Sequence, residues 1–286
     1  MSFADLLGTH LVHTALAAGA IAAVVCGTIG MFVVIRGMSF AVHAVSELGF
    51  TGAAAALLLG IDPVFGILGG SLLVGGTLGL LTVRGRERDS AIGSFLAFGL
   101  GVGVLLIRLY QGYATQATNL LFGSIVGVSV RQVWILGGVA VLVVATIAAG
   151  YRPLLFASVD PEAAEARGIS LRLMSVVLLI LVALTTAEAV QVVGVLLVLT
   201  LVITPAAAAV RLTVRPGIAL LLSVGIALAA TEGGILLSLV KAWPPSFFIS
   251  SISFAVYVGA RVVEALRLRS ALQAPPEPGA TVKAVP

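Results

Sequence analysis

The chain has 286 residues, of which 60% are hydrophobic and only 10% charged, and its formal net charge is +4. Ordinary soluble domains carry about 25% charged and about 45 to 50% apolar residues, so this composition excludes a soluble fold and predicts an integral membrane protein. The 16 Lys and Arg residues are dispersed between apolar runs rather than gathered into a patch, which argues against nucleic acid as a partner and makes them topology signals in a lipid bilayer.

Crossing the roughly 30 Å hydrocarbon core takes about 20 apolar residues. Breaks at charges, prolines and turn clusters predict segments at 11–35, 39–60, 64–83, 91–110, 132–150, 171–190, 192–212, 217–239 and 247–266. The first is too long for a signal-peptide core and lacks a basic flank, so it reads as a retained span. Cys26 lies within it and is the only cysteine, which excludes an internal disulfide or a site of several thiolates. The segments at 171–190 and 192–212 are separated only around Glu188 and Gln191, so one of the nine is expected to be broken or re-entrant. The expected fold is therefore all-α, a polytopic bundle of eight or nine spans over residues 1–269.

With the "RGRER" stretch at 84–88 placed in the cytoplasm, strict alternation of nine spans puts 13 of the 16 basic residues on that side and leaves only Arg108, Arg131 and Lys241 outside. This predicts a cytoplasmic C-terminus. The nine-span count places the N-terminus outside, and an eight-span count places it inside. Glycine is abundant at 33 residues. The pairs Gly66 with Gly70, Gly75 with Gly79 and Gly99 with Gly103 have the spacing that lets membrane helices approach closely, and general packing is the simpler reading than a dimer face. From residue 270 the sequence "SALQAPPEPGATVKAVP" has almost no large apolar side chain, and a disordered cytoplasmic tail over 270–286 is expected.

The longest polar interruption before that tail is "YRPLLFASVDPEAAEARGIS", residues 151–170. Asp160 is placed to N-cap a short helix with Pro161 in its first turn, Glu162 and Glu165 suit the positive helix end, and Gly168 suits its close. A capped helix held between two spans is either a lever for a soluble partner or an interfacial connector.

Charged residues inside spans are costly and mark pathways or partners. His43 and Glu47 in the second segment are four residues apart and share a helix face. An imidazole beside a carboxylate suits a divalent cation such as zinc, manganese or iron; mutual neutralisation by a hydrogen bond is the alternative. Glu188 and Glu232 are read as an outer vestibule that attracts cations, or as backbone hydrogen-bonding groups in a broken helix. His10 and His13 share a face near the N-terminus and fit interfacial anchors better than metal ligands. Pro205, in "VITPAAAA", is expected to support a kink.

Four stretches then carry a resemblance: "FVVIRGMSFAVHAVSELGFTG" at 32–52, "LLFGSIVGVS" at 120–129, "FASVDPEAAEARGIS" at 156–170 and "VVGVLLVLTLVITPAAAAVRL" at 192–212. In order and spacing they resemble the ABC-3 permeases, the membrane subunits of bacterial ABC importers for zinc, manganese and iron. The resemblance implies a type II ABC importer-like permease, a homodimer in the bacterial cell membrane, with the metal as cargo and no resident cofactor or catalytic residue. It also implies a separate ATP-binding subunit docked on the helix at about 159–169, through Asp160, Pro161, Glu162, Ala163, Glu165, Ala166 and Gly168. An extracellular or periplasmic metal-binding protein would deliver the ion. No GxxxxGK[ST] phosphate loop occurs in this chain, so ATP belongs to the partner.

The family pattern near the second segment carries an aspartate and, four residues on, a histidine as pathway ligands. Here His43 occupies the aspartate position and Glu47 the histidine position, so both donor types are kept in reversed order. Thr51 stands where the family carries proline, which predicts a straighter helix. The competing classes are a permease for a metal chelate or siderophore, a proton-coupled secondary transporter, and an intramembrane enzyme; HExxH is absent and no internal repeat is evident.

Overall fold

The computed structural model describes residues 9–80, 86–110, 127–241 and 243–273. Ten helices run through them: α1 His10–Ile35, α2 Ser39–Leu58, α3 Pro63–Leu80, α4 Arg86–Leu109, α5 Val130–Val159, α6 Pro161–Ala166, α7 Leu171–Val193, α8 Val195–Leu212, α9 Pro216–Val240 and α10 Pro245–Gln273. Eight are long and apolar enough to cross a membrane, and α8 contributes a shorter apolar stretch, Leu197–Leu212.

The ends of these helices follow local chemistry. Ser129 and Gln132 form a reciprocal capping box at the start of α5, and Ser170 accepts a hydrogen bond from Leu173 N at the start of α7. Asp62 Oδ1 accepts from Val64 N, ahead of α3. Gly37, Gly60 and Gly168 take positive φ at turns, the left-handed region open to glycine without steric cost.

Small residues set the helix packing and reveal its directions. A Cβ on Gly52 would collide with the carbonyl of Gly66, and one on Gly70 would come within 2.6 Å of the Leu48 carbonyl, so α2 and α3 pack backbone to backbone and antiparallel. Gly75 meets Leu179 and Gly79 meets Val176, which runs α3 antiparallel to α7. Gly99 abuts Leu48 and Gly103 abuts Thr51, so α4 lies parallel to α2. All three glycine pairs singled out in the sequence are thus used within the chain. On the other flank α1 lies antiparallel to α9, where Gly19 faces Thr231 and Ile235 and the Ser223 hydroxyl donates to the Gly27 carbonyl. An ion pair of 2.7 Å between Arg211 and Glu264 joins the C-terminal ends of α8 and α10. Each of these directions is the one that alternate crossings in chain order require.

The most enclosed span is α1, with Ile29, Met31, Phe32 and Val33 fully buried, whereas α4, α5 and α10 are largely exposed along their length. Large apolar side chains such as Phe98, Trp134 and Leu221 point outward from the bundle. This is the arrangement expected when lipid replaces water as the solvent and backbone polar groups are satisfied within each helix.

Two boundaries differ from the sequence expectation. The interruption at 151–170 is mostly helical: α5 continues through Tyr151, Arg152 and Pro153 to Val159 because Leu154, Ala157 and Ser158 are buried against the bundle. At the other end α10 continues to Gln273, past the expected start of the tail. The rest of that tail, 274–286, lies outside the described residues, as does most of the 120–129 motif.

Candidate functional site

His43 and Glu47 occupy successive turns of α2, each half-buried. Between them Ser46 is buried, and its hydroxyl donates to the carbonyl of Val195 at 3.3 Å. Val195 is the first residue of α8, directly after Gly194, which breaks the chain between α7 and α8 with φ +83° and ψ 160°. The break anticipated between 171 and 212 therefore sits beside the His43 and Glu47 turn. Further along α2, Thr51 donates to the carbonyls of Gly99 and Glu47, at 2.8 and 3.3 Å. This threonine stands where proline was expected; α2 passes through it unbroken and is pinned there to α4.

Among the described residues, no hydrogen bond or ion pair engages the side chain of His43 or Glu47. Mutual neutralisation, the alternative reading of the pair, is not what the helix adopts. Nor do three His, Cys, Asp or Glu side chains gather into one cluster among the described residues. One chain thus offers one imidazole and one carboxylate at this level, fewer donors than a closed metal site needs.

Glu188, read from the sequence as part of an outer vestibule, lies inside the bundle. It lies on α7 and is 2% exposed, enclosed by the chain rather than open to an outer funnel, and neither carboxylate oxygen has a hydrogen-bond partner. Sequence alone could not place it there, because hydropathy reports depth and not which side of a helix meets its neighbours. Glu232 is half-buried on α9, with Oε1 enclosed and unpaired close to Gly19 of α1. His10 and His13 are exposed in the first turns of α1. Pro205 stays inside α8 without ending it.

At the opposite end of α7 stands the short helix α6. Asp160 Oδ1 accepts from Ala163 N at 3.0 Å, Pro161 opens the helix, and Gly168 takes φ +82° after it, as the sequence predicts. Glu162 lies in its first turn, Ala164 packs inward, and Glu165 and Ala166 are exposed. Arg36 holds the base of this helix. Its Nε donates to Ser158 Oγ at 2.7 Å and its Nη1 to Ser175 Oγ at 3.3 Å, so one guanidinium joins the end of α1 to the elements on both sides of α6. Sequence reading treated Arg36 only as a topology charge; its place two residues before Met38, the N-cap of α2, gives it a second role in tying α6 to the helix that carries His43 and Glu47.

Alternating apolar helices, a break in mid-bundle beside half-buried donors, and a capped polar helix at one end define a multi-span membrane protein of permease architecture. The chain belongs to the ABC 3 transport family, which it matches over residues 9–264. It is similar to the manganese transport system membrane protein MntC of Halalkalibacterium halodurans, 31% identical over 83% of this chain and 82% of that protein. It is also similar to the manganese import system permease protein ScaB of Streptococcus gordonii, 33% identical over 70% of this chain and 72% of that one. Among solved structures it superposes on PsaBC from Streptococcus pneumoniae in complex with Fab, with a TM-score of 0.81, 26% identity, and coverage of 90% of this chain and 94% of that one. A metal-chelate type ABC transporter in an inward-facing conformation shares the fold, with a TM-score of 0.65 at 17% identity over 88% of this chain and 85% of that one.

Proposed function

We propose that this chain is the transmembrane permease subunit of an ATP-driven importer for a divalent metal ion, with manganese the first cargo to test. The observation that carries this reading is the His43 and Glu47 turn: two metal-competent donors, unbonded within the described residues and half-buried, where the resemblance of the sequence implies pathway ligands. Family membership and relatives named for manganese transport support the cargo class.

Because one chain supplies only two donors, the ring closes when a second copy brings its own His43 and Glu47 to the same axis. Two imidazoles and two carboxylates then make a mixed nitrogen and oxygen set that holds manganese, iron or zinc while exchanging ligands with water. The ion arrives from a metal-binding protein on the outer face. On the cytoplasmic side an ATP-binding subunit docks on α6, and its closure moves α5 and α7, which flank that helix. Arg36 passes the motion to α1 and α2, and the Gly194 break lets α7 and α8 change angle beside the ligand turn.

The test is metal accumulation in cells that express the chain with an ATP-binding subunit and a metal-binding protein, across a manganese, iron and zinc panel. The proposal expects ATP-dependent accumulation of manganese that fails in His43→Ala and Glu47→Ala cells. Accumulation by this chain alone, with no ATPase, would instead show a secondary transporter.

A further inference from the structure

Glu188 belongs to a stripe. Thr185, Glu188 and Gln191 follow one another at three-residue intervals on α7, a spacing that stacks side chains along one helix face. Thr185 is 1% exposed and Glu188 2% exposed, and the threonine hydroxyl and both carboxylate oxygens lack hydrogen-bond partners. Thr28, Thr77 and Thr146 each return a hydrogen bond to the carbonyl four residues earlier, the usual way a membrane helix satisfies a threonine, whereas Thr185, like Thr186 and Thr231, does not. No ion pair reaches Glu188 among the described residues. The neighbouring α1 places the buried Cys26 within electrostatic reach of Glu188.

A cavity of about 60 Å³ adjoins the Gln191 end of the stripe, lined by Gly127, Val128, Gln132, Leu136 and Gln191, room for a few water molecules. Gln191 donates to the Ala187 carbonyl through Nε2, a geometry that assigns its amide oxygen no partner there. The cavity therefore ends on an amide, with the carboxylate one turn further along α7 and the hydroxyl one turn beyond that. Arg36, two residues before the N-cap of α2, bonds Ser175 near the start of α7, so the two helices run from the same end; His43 lies seven residues past Arg36 and Glu188 thirteen past Ser175, the latter roughly 20 Å of helix. Glu188 thus stands beyond the His43 turn, on the side away from the end of α7 that carries α6.

We propose that Thr185, Glu188 and Gln191 form a second cation station inside each protomer, an oxygen-only site for a divalent cation that has shed part of its water. A carboxylate enclosed without a donor or a counter-ion is supplied with charge balance when such a cation binds, and hydroxyl and amide oxygens complete hard ligation suited to manganese or magnesium rather than zinc. The station rests on the importer reading and assigns it a step: the ion passes from an all-oxygen level to the mixed His43 and Glu47 level nearer α6.

The experiment counts Mn2+ bound to the full-length chain in lipid nanodiscs, by electron paramagnetic resonance of the free ion, with His43→Ala and Glu47→Ala combined to remove the mixed level. In that background the proposal expects one Mn2+ per chain to remain, with no directly coordinated nitrogen in its electron-nuclear double resonance spectrum. Glu188→Gln, close to isosteric, weakens this binding at least tenfold, and Thr185→Val weakens it severalfold with an unchanged elution profile. Unaltered binding in Glu188→Gln, nitrogen ligation of the remaining ion, or no bound Mn2+ in the His43 and Glu47 background overturns the station. The importer reading is judged apart from it, by ATP-dependent uptake through chains in which only His43 or Glu47 is changed.

Discussion

The Ser46 hydroxyl bonds the Val195 carbonyl at 3.3 Å, tying the turn between His43 and Glu47 to the first residue beyond the Gly194 break. The helix that carries His43 and Glu47 is therefore joined to the broken one at the level of that pair, and in the proposed function a change in angle at Gly194 is felt by both side chains. Ser46→Ala removes one buried hydrogen bond, a loss of about 1 kcal/mol. We expect a small drop in thermal midpoint together with slower metal uptake; a drop in stability with full uptake would show that the tie is only structural.

Gly194 itself takes φ +83° and ψ 160°, a region essentially closed to side chains. Gly194→Ala should cost about 1 to 3 kcal/mol and fix the α7 to α8 angle poorly. Differential scanning fluorimetry and uptake should both decline, whereas Gly69→Ala, where an added Cβ meets no atom within 4 Å, should leave both near wild type.

At the α2 to α3 contact an added methyl has no room. In Gly52→Ala the new Cβ collides with the Gly66 carbonyl, and the two helices must separate at a cost of about 1 to 3 kcal/mol. The result is a lower midpoint of unfolding, partly restored by no substitution at Gly66, which is equally crowded by Gly52 and Ala56.

The legibility of this molecule divides along physical lines. Spans were readable because apolar length is a local property, and so was the α6 cap, since Asp160, Pro161 and Gly168 act within one turn of each other. The continuation of α5 through Arg152 and Pro153 was not readable, because it depends on Leu154, Ala157 and Ser158 finding partners in other helices. Likewise the spacing of Gly66 and Gly70 announced close packing but could not name Gly52 and Leu48 as its object. His43 and Glu47 were visible as two ionisable residues in an apolar span, while the burial of Glu188 and the reach of Arg36 to Ser158 and Ser175 are tertiary facts.

The role of Arg36 is separable from its charge. Arg36→Lys keeps the positive charge but loses the planar fork that spans Ser158 and Ser175. If Arg36 transmits movement of α6, Lys at this position should lower metal uptake per ATP hydrolysed while Mn2+ binding to the purified chain is retained. Equal loss of both would mark Arg36 as a simple stabilising contact.

The cap of α6 offers a parallel test from the other side. Asp160→Ala removes the acceptor for Ala163 N and about 1 kcal/mol of helix stability. Co-purification of the ATP-binding subunit should weaken, and Asp160→Asn, which restores a capping oxygen without the charge, should recover it.

The most direct measurement is uptake of radiolabelled Mn2+ into proteoliposomes holding this chain and its ATP-binding subunit, with ATP supplied on the cytoplasmic face. The proposed function predicts accumulation that requires ATP and falls at least tenfold in His43→Ala and in Glu47→Ala. Full ATP-driven uptake by both variants, or ATP-independent uptake by the chain alone, would contradict it.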